Sequence, residues 1–268
     1  MQNEIERELV TLAGRSACVV VRLETAAPRE LVSLNPDLRF PAASLAKVPI
    51  LVEVARQVEF GILSWDTRYT VAKDAYAASS GVLADLSPSL QPTLRDLAHL
   101  MIAISDNTAS NVLLDLVGMA AVNKTMQELG LQATRLERRF MDFAARQAGY
   151  DNWTTAGDMA LLLSFFCADL LPGRDEMFKM LLRQNDNSTL PAYWGEETPY
   201  AHKTGELADV VHDAGILYPP YPPYPLPSTK ASLIIVVMTA EQDDIPFARY
   251  VLARVGRIVF NIAKKDNI

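Results

Sequence analysis

A serine and a lysine stand three residues apart in an apolar stretch, Ser44 and Lys47 of "PAASLAKVPILVEV". On a helix that spacing puts both side chains on one face. A serine hydroxyl is a weak nucleophile until a base takes its proton, and a lysine is such a base once its pKa is depressed. Backbone N–H groups at a helix start can also hold an oxyanion. The same two residues read equally well as a helix cap followed by a snorkelling lysine, so this pair decides nothing alone.

Two more polar clusters follow along the chain. Ser105, Asp106 and Asn107 come after an apolar segment in "ISDNTASN", where Asp106 also suits a helix cap. Lys203, Thr204 and Gly205 lie in "AHKTGEL", which reads as a strand. A glycine weakens a strand unless something must approach the backbone closely, and a bound substrate is one such thing.

The elements that must position these residues show as changes of period. Residues 4–13 have helical spacing; "SACVVVRLET" (16–25) and "RELVSLNPD" (29–37) read as a β-hairpin. From Ser44 to about Gly61 the pattern turns helical, and "TLRDLAHLMIAIS", "NTASNVLLDLVG", "VNKTMQELG" and "TAGDMALLLSFFCADLL" continue it. Strands return in "YAHKTGEL", "VHDAGILYP" and "KASLIIVVMTA", and "IPFARYVLARVGRIVFNIAKK" forms a last helix. The expected fold is α+β: one antiparallel sheet from residues 1–43 and 196–268 with terminal helices against it. Residues 44–195 are expected as an inserted all-helical subdomain, with a site in the cleft between the two. The stretch "YPPYPPYPLPS" (218–228) holds too many prolines for a sheet interior and reads as a stiff exposed extension, either an inert loop or a wall of the cleft.

Composition narrows the classes. A formal charge of −7 over 268 residues argues against nucleic acid as a partner. No apolar run approaches the roughly 18 residues of a membrane span. The opening "MQNEIERELVTLAG" has no leader pattern, so the chain as given reads as cytoplasmic, or as periplasmic or secreted with its leader removed. His99, His202 and His212 lack metal-site spacing, Cys18 and Cys167 read as buried thiols, and no metal, cofactor or stable partner chain is expected.

Taken together, S-x-x-K, S-D-N and K-T-G in this order resemble the signature of class A β-lactamases and penicillin-binding proteins. "SGVLADLSPSLQPTLRDLAHLMIAISDNTASNVLLDLVG", "LGLQATRLER" and "HKTGELADVVHDAGILY" are similar to that family beyond the motifs, so the resemblance covers most of residues 30–260. It implies a class A β-lactamase/transpeptidase-like fold and a serine hydrolase acylated on Ser44 by β-lactams or related amides and esters. Lys47 would take the proton of Ser44 directly or through water, and Ser105 would pass a proton to the leaving nitrogen. Asn107 would bind the substrate amide, and Lys203 and Thr204 its carboxylate, with Gly205 letting the strand run beside the ligand. The backbone N–H groups of Ser44 and Glu206 would form the oxyanion hole. A second cation at Lys203 would help keep Lys47 neutral.

The pattern departs from the family in two places. The family's deacylating glutamate aligns on Phe140 and its usual asparagine on Ala144, within "TRLERRFMDFAARQAGYDNW". Arg138 with Asp151 or Asn152 would still close the neck of that loop. Asp142 and Glu137 remain as possible replacement bases. Without a positioned base, acylation would proceed while deacylation is slow, which leaves open a non-turnover sensor or trap, or a D-Ala-D-Ala peptidase or esterase relative. The second departure is the lack of Arg or Lys over 206–218, which leaves His212 as the spare carboxylate-binding candidate.

Overall fold

In the computed structural model, which describes residues 1–24, 27–77, 79–218 and 232–265, the chain folds as α+β. Helix α1 (Gln2–Leu9) leads into the hairpin β1 (Arg15–Arg22) and β2 (Arg29–Leu34), and then into the short β3 (Arg39–Pro41). A helical stretch follows: α2 (Lys47–Glu59), α3 (Leu94–Ala103), α4 (Asn107–Val117), α5 (Met119–Glu128) and the single-turn α6 (Phe143–Gln147). After β4 (Trp153–Thr155) come α7 (Ala156–Cys167) and α8 (Arg174–Leu181). The chain then returns as β5 (Tyr200–Leu207), β6 (Val210–Leu217), β7 (Leu233–Ala240) and α9 (Ile245–Lys265).

Five of the strands make one antiparallel sheet in the order β2-β1-β7-β6-β5. The two faces of the sheet follow from alternation. Ala17, Val19, Ile234, Val236 and Met238 pack toward α2, α3, α4, α7 and α8 in one core. Cys18, Val20, Leu233, Ile235 and Val237 pack toward α1 and α9 in the other. Strand β7 is buried on both faces, which explains its uninterrupted apolar run. Both cysteines are buried free thiols whose pKa burial pushes up to about 12. Beyond Tyr218, the Tyr- and Pro-rich stretch lies outside the described residues. Among those residues no helix is long and apolar enough to cross a membrane.

Two features differ from the pattern-based expectation: β4, inside the stretch expected to be all-helical, pairs with β3 in a second small sheet, and the first long helix starts differently. The helix predicted to start at Ser44 opens as a 3-10 turn, Ala43–Ala46, and becomes α-helical only at Lys47. Pro49 gives the reason: it has no N–H to donate to the carbonyl of Leu45, so a regular α-helical ladder cannot reach back past it.

Candidate active site

Ser44 sits in that 3-10 turn and lines a cavity of about 690 Å³; α2 begins at Lys47, whose side chain is fully buried. Helix α3 is started by a capping box, Thr93 with Asp96, and ends at Ala103. The chain then turns through Ser105 at φ 58° before Asp106 caps α4. A left-handed conformation in a residue with a Cβ costs about 1–3 kcal/mol, and the surrounding structure must hold it. Asp106 does so: besides Ala109 N–H at 2.9 Å, its carboxylate accepts from Val82 N–H at 2.7 Å and Leu83 N–H at 2.8 Å. Its role is structural. Ala43, Ser79 and Met141 also have positive φ, so with Ser105 four strained positions line this one cavity.

The turn gives Ser105 two contacts with one amine. Lys47 Nζ lies 2.6 Å from the Ser105 carbonyl, 2.9 Å from its Oγ and 2.9 Å from Asn107 Oδ1. Ser105 Oγ is in turn 2.9 Å from Ser44 Oγ. A hydrogen-bonded path from Ser44 to Lys47 therefore runs through the Ser105 hydroxyl. Three oxygens around Lys47 favour its ammonium form. Loss of hydration opposes them and is the larger effect, with the charge of Lys203 acting the same way and Asp106 against. The result is an amine held well below the usual lysine range.

The other wall is β5. Lys203 is fully buried with Nζ 2.9 Å from the Thr204 carbonyl; burial brings its pKa down to about 7, against the raising influence of Asp186 and Asp213. Thr204 and Glu206 face the cavity. Gly205 has a reason within the fold itself. A Cβ there would stand 3.2 Å from both Ala43 Cβ and Ser44 N, and 3.3 Å from Leu45 N. The strand is tight against the turn that carries Ser44, which brings β5 and the Ser44 N–H into one corner.

Phe140 occupies the cavity where the family's glutamate was expected. It is buried, and its backbone is clamped at both polar atoms by Asn111, with Phe140 N–H to Oδ1 at 2.9 Å and Nδ2 to the Phe140 carbonyl at 3.2 Å. The loop's neck is closed twice. Arg138 Nε meets Asp151 at 2.7 Å, and Asn152 Oδ1 accepts from the N–H groups of Glu137 and Arg138. Neither replacement base reaches the cavity. Asp142 caps α6 through Ala145 N–H at 2.9 Å, and Glu137 pairs with Arg135 at 3.0 Å.

His212 is also withdrawn from substrate. It is fully buried, Nε2 is 2.8 Å from the Pro41 carbonyl, and Nδ1 accepts from Thr239 N–H at 3.1 Å. Desolvation lowers its pKa to about 4, so the ring is neutral. Arg138 and Arg146 line the cavity from the loop of Phe140, and on the side of Glu206 it is lined by Arg249, from α9, which bonds Ser188 Oγ at 2.6 Å and the carboxylate of Glu206. Sequence reasoning missed it because it lies in another element, far along the chain from K-T-G. The one available signal was an acid, Glu206, directly after that motif and in need of a partner.

Known proteins share this arrangement of elements. A beta-lactamase of Streptomyces fradiae is 30% identical over 206 residues, which cover 70% of this chain and 65% of that protein. The crystal structure of a beta-lactamase from Sphaerobacter thermophilus DSM 20745 superposes with a TM-score of 0.85 at 28% identity, covering 98% of this chain and 97% of that one. A variant of PBP-A, solved as an acyl-enzyme complex with penicillin G, gives 0.84 at 29% identity over 98% and 96% of the two chains. Residues 2–263 match one family as a whole, and with it the turn of Ser44, the loop of Ser105 and the strand of Lys203: the chain belongs to the beta-lactamase enzyme family.

Proposed function

We propose that this protein is a serine acyl-transfer enzyme that forms an acyl-enzyme on Ser44 with β-lactams or related amides and esters, and releases the acyl group slowly. The observation that carries the reading is the position of Ser105 Oγ, 2.9 Å from both Ser44 Oγ and Lys47 Nζ. With the two hydroxyls turned one way, Ser44 donates to Ser105 and Ser105 to the lone pair of Lys47. The proton leaves Ser44 as its Oγ attacks the carbonyl carbon. Turned the other way, the same relay returns the proton to the leaving nitrogen as the C–N bond breaks, and the acyl group stays on Ser44. The Ser44 and Glu206 N–H groups serve the developing oxyanion. Asn107 binds the substrate amide; Thr204 and protonated Lys203 hold a substrate carboxylate, with Arg249 at the far end of that subsite. Release needs a water and a base, and Phe140 offers neither.

Mass spectrometry of the intact protein with penicillin G, alongside Ser44→Ala, tests this. The expected result is a stoichiometric adduct on the parent chain that decays slowly, and none on the variant. No adduct on the parent, or an equal one on the variant, overturns the reading. Phe140 favours one narrower form: an adduct that outlasts the experiment marks a sensor or trap, and steady product release marks a hydrolase.

A further inference from the structure

Behind Ser105, on the outer face of α3 and α8, lies a second cavity of about 430 Å³. Its floor is apolar, formed by Leu100 and the buried Met180. Its rim is basic. Arg95 and His99 stand one turn apart on α3, and Lys179 and Arg183 one turn apart along α8 and its exit. Four basic side chains meet two acids there, and both acids are engaged. Asp96 accepts from Thr93 N–H at 2.9 Å in the capping box, and Glu176 pairs with Arg95 and lies 3.8 Å from Lys179. Arg183 has no ion pair among the described residues. Counting full charges, three cations meet two acids there, a small positive excess on a chain with a net charge of −7.

We propose that this groove binds a small organic anion: an oxyanion carried on a short apolar body. Lys179 and Arg183, with His99 opposite, reach the anionic group, and Leu100 and Met180 receive the body. A pocket with an apolar floor and a few convergent charged groups is the usual form of a small-molecule site. Charge-assisted contacts to Arg and Lys make an oxyanion the fitting polar group. The position gives the site a connection to the cleft. Asn185, just beyond α8, donates its N–H to the Ala103 carbonyl at 2.9 Å, two residues before Ser105. An occupant bridging α3 and α8 bears on the seam whose inner end holds the relay.

Phenyl phosphate is the probe, with inorganic phosphate and phenol as partial ligands, followed by NMR shifts of the His99 ring and the Arg183 backbone amide. The Thr204 amide reports binding in the cleft. The expected result is saturable shifts at His99 and Arg183, tighter for phenyl phosphate than for either partial ligand. Affinity should fall about tenfold in Lys179→Gln/Arg183→Gln, whose melting temperature serves as a check of folding. Shifts confined to Thr204, an affinity untouched by the double variant, or a response that sodium chloride reproduces would each overturn the proposal and leave an ordinary solvated face.

Discussion

The Lys47 amine lies 4.9 Å from the centre of the Phe140 ring. One contact thus joins the base proposed for acylation to the residue standing where the family's deacylating carboxylate was expected. The ring covers one side of the amine and adds to its burial, while its π face attracts the ammonium form, and it brings no carboxylate to this position. Phe140→Glu should therefore shorten the lifetime of the Ser44 adduct at least tenfold, general-base catalysis supplying roughly 10²–10⁴ where geometry is good. Adduct decay after removal of excess penicillin G measures it. An unchanged lifetime would mean that water access, not the missing base, limits release.

Ser105→Ala removes the hydroxyl between Ser44 and Lys47 and leaves the Ser105 carbonyl and Asn107 on the amine. The variant should fold normally and acylate about 10²–10⁴ times more slowly. Rates of adduct formation beside melting curves separate chemistry from stability. Acylation at the parental rate would show that Lys47 works without the relay.

The pH profile depends on the substrate. Raising the pH through about 7 removes the positive charge of Lys203. Acylation by an anionic penicillin should decline there, whereas a neutral ester without a carboxylate should show no alkaline decline in that range. Parallel profiles for both substrates would remove Lys203 from carboxylate binding.

Lys203 also costs stability. Its pKa in the folded chain, about 7, lies below the unfolded value near 10.5, so between those values the unfolded state binds more protons and stability rises with pH. Lys203→Met should raise the melting temperature at pH 7 by several degrees, burial of the charge being worth a few kcal/mol. It should also abolish binding of anionic substrate. The gain should shrink as the pH approaches 10.5. A variant that melts lower at pH 7 would show that the bond to Thr204 outweighs the burial.

Gly205→Ala introduces a carbon 3.2 Å from the Ser44 nitrogen, so the turn must give by a few tenths of an ångström. Loss of rate should exceed loss of stability, because misplacement of the nucleophile by that distance affects attack before it affects packing. Rates and denaturant midpoints measured together check this.

Ser44, Lys47, Ser105 and Lys203 could be singled out because each lies in a short motif, and the fold brings the first three into one hydrogen-bonded group. The strands were legible as well, since alternation on the two-sided sheet leaves a period of two and the doubly buried β7 an apolar run. Long-range partners were not. Arg249 reaches Glu206 only because α9 packs beside β6 and β7, and no local pattern reports such a crossing. His212 failed as a ligand for the converse reason. Its position opposite Gly205 is readable from register, but the Pro41 carbonyl that takes its Nε2–H comes from β3. Asp142 was spent on a helix start one residue later, which a five-residue helix hardly announces.

Strand β1 pairs along its whole length with β7, Arg15 opposite Ala240 and Arg22 opposite Leu233. During synthesis, then, the earliest strand must wait unpaired on that side until nearly the last has left the ribosome. A nascent chain already holding Ser44 and Lys47 lacks the sheet that braces them, so the proposed acylation of Ser44 has to wait until β7 is in place.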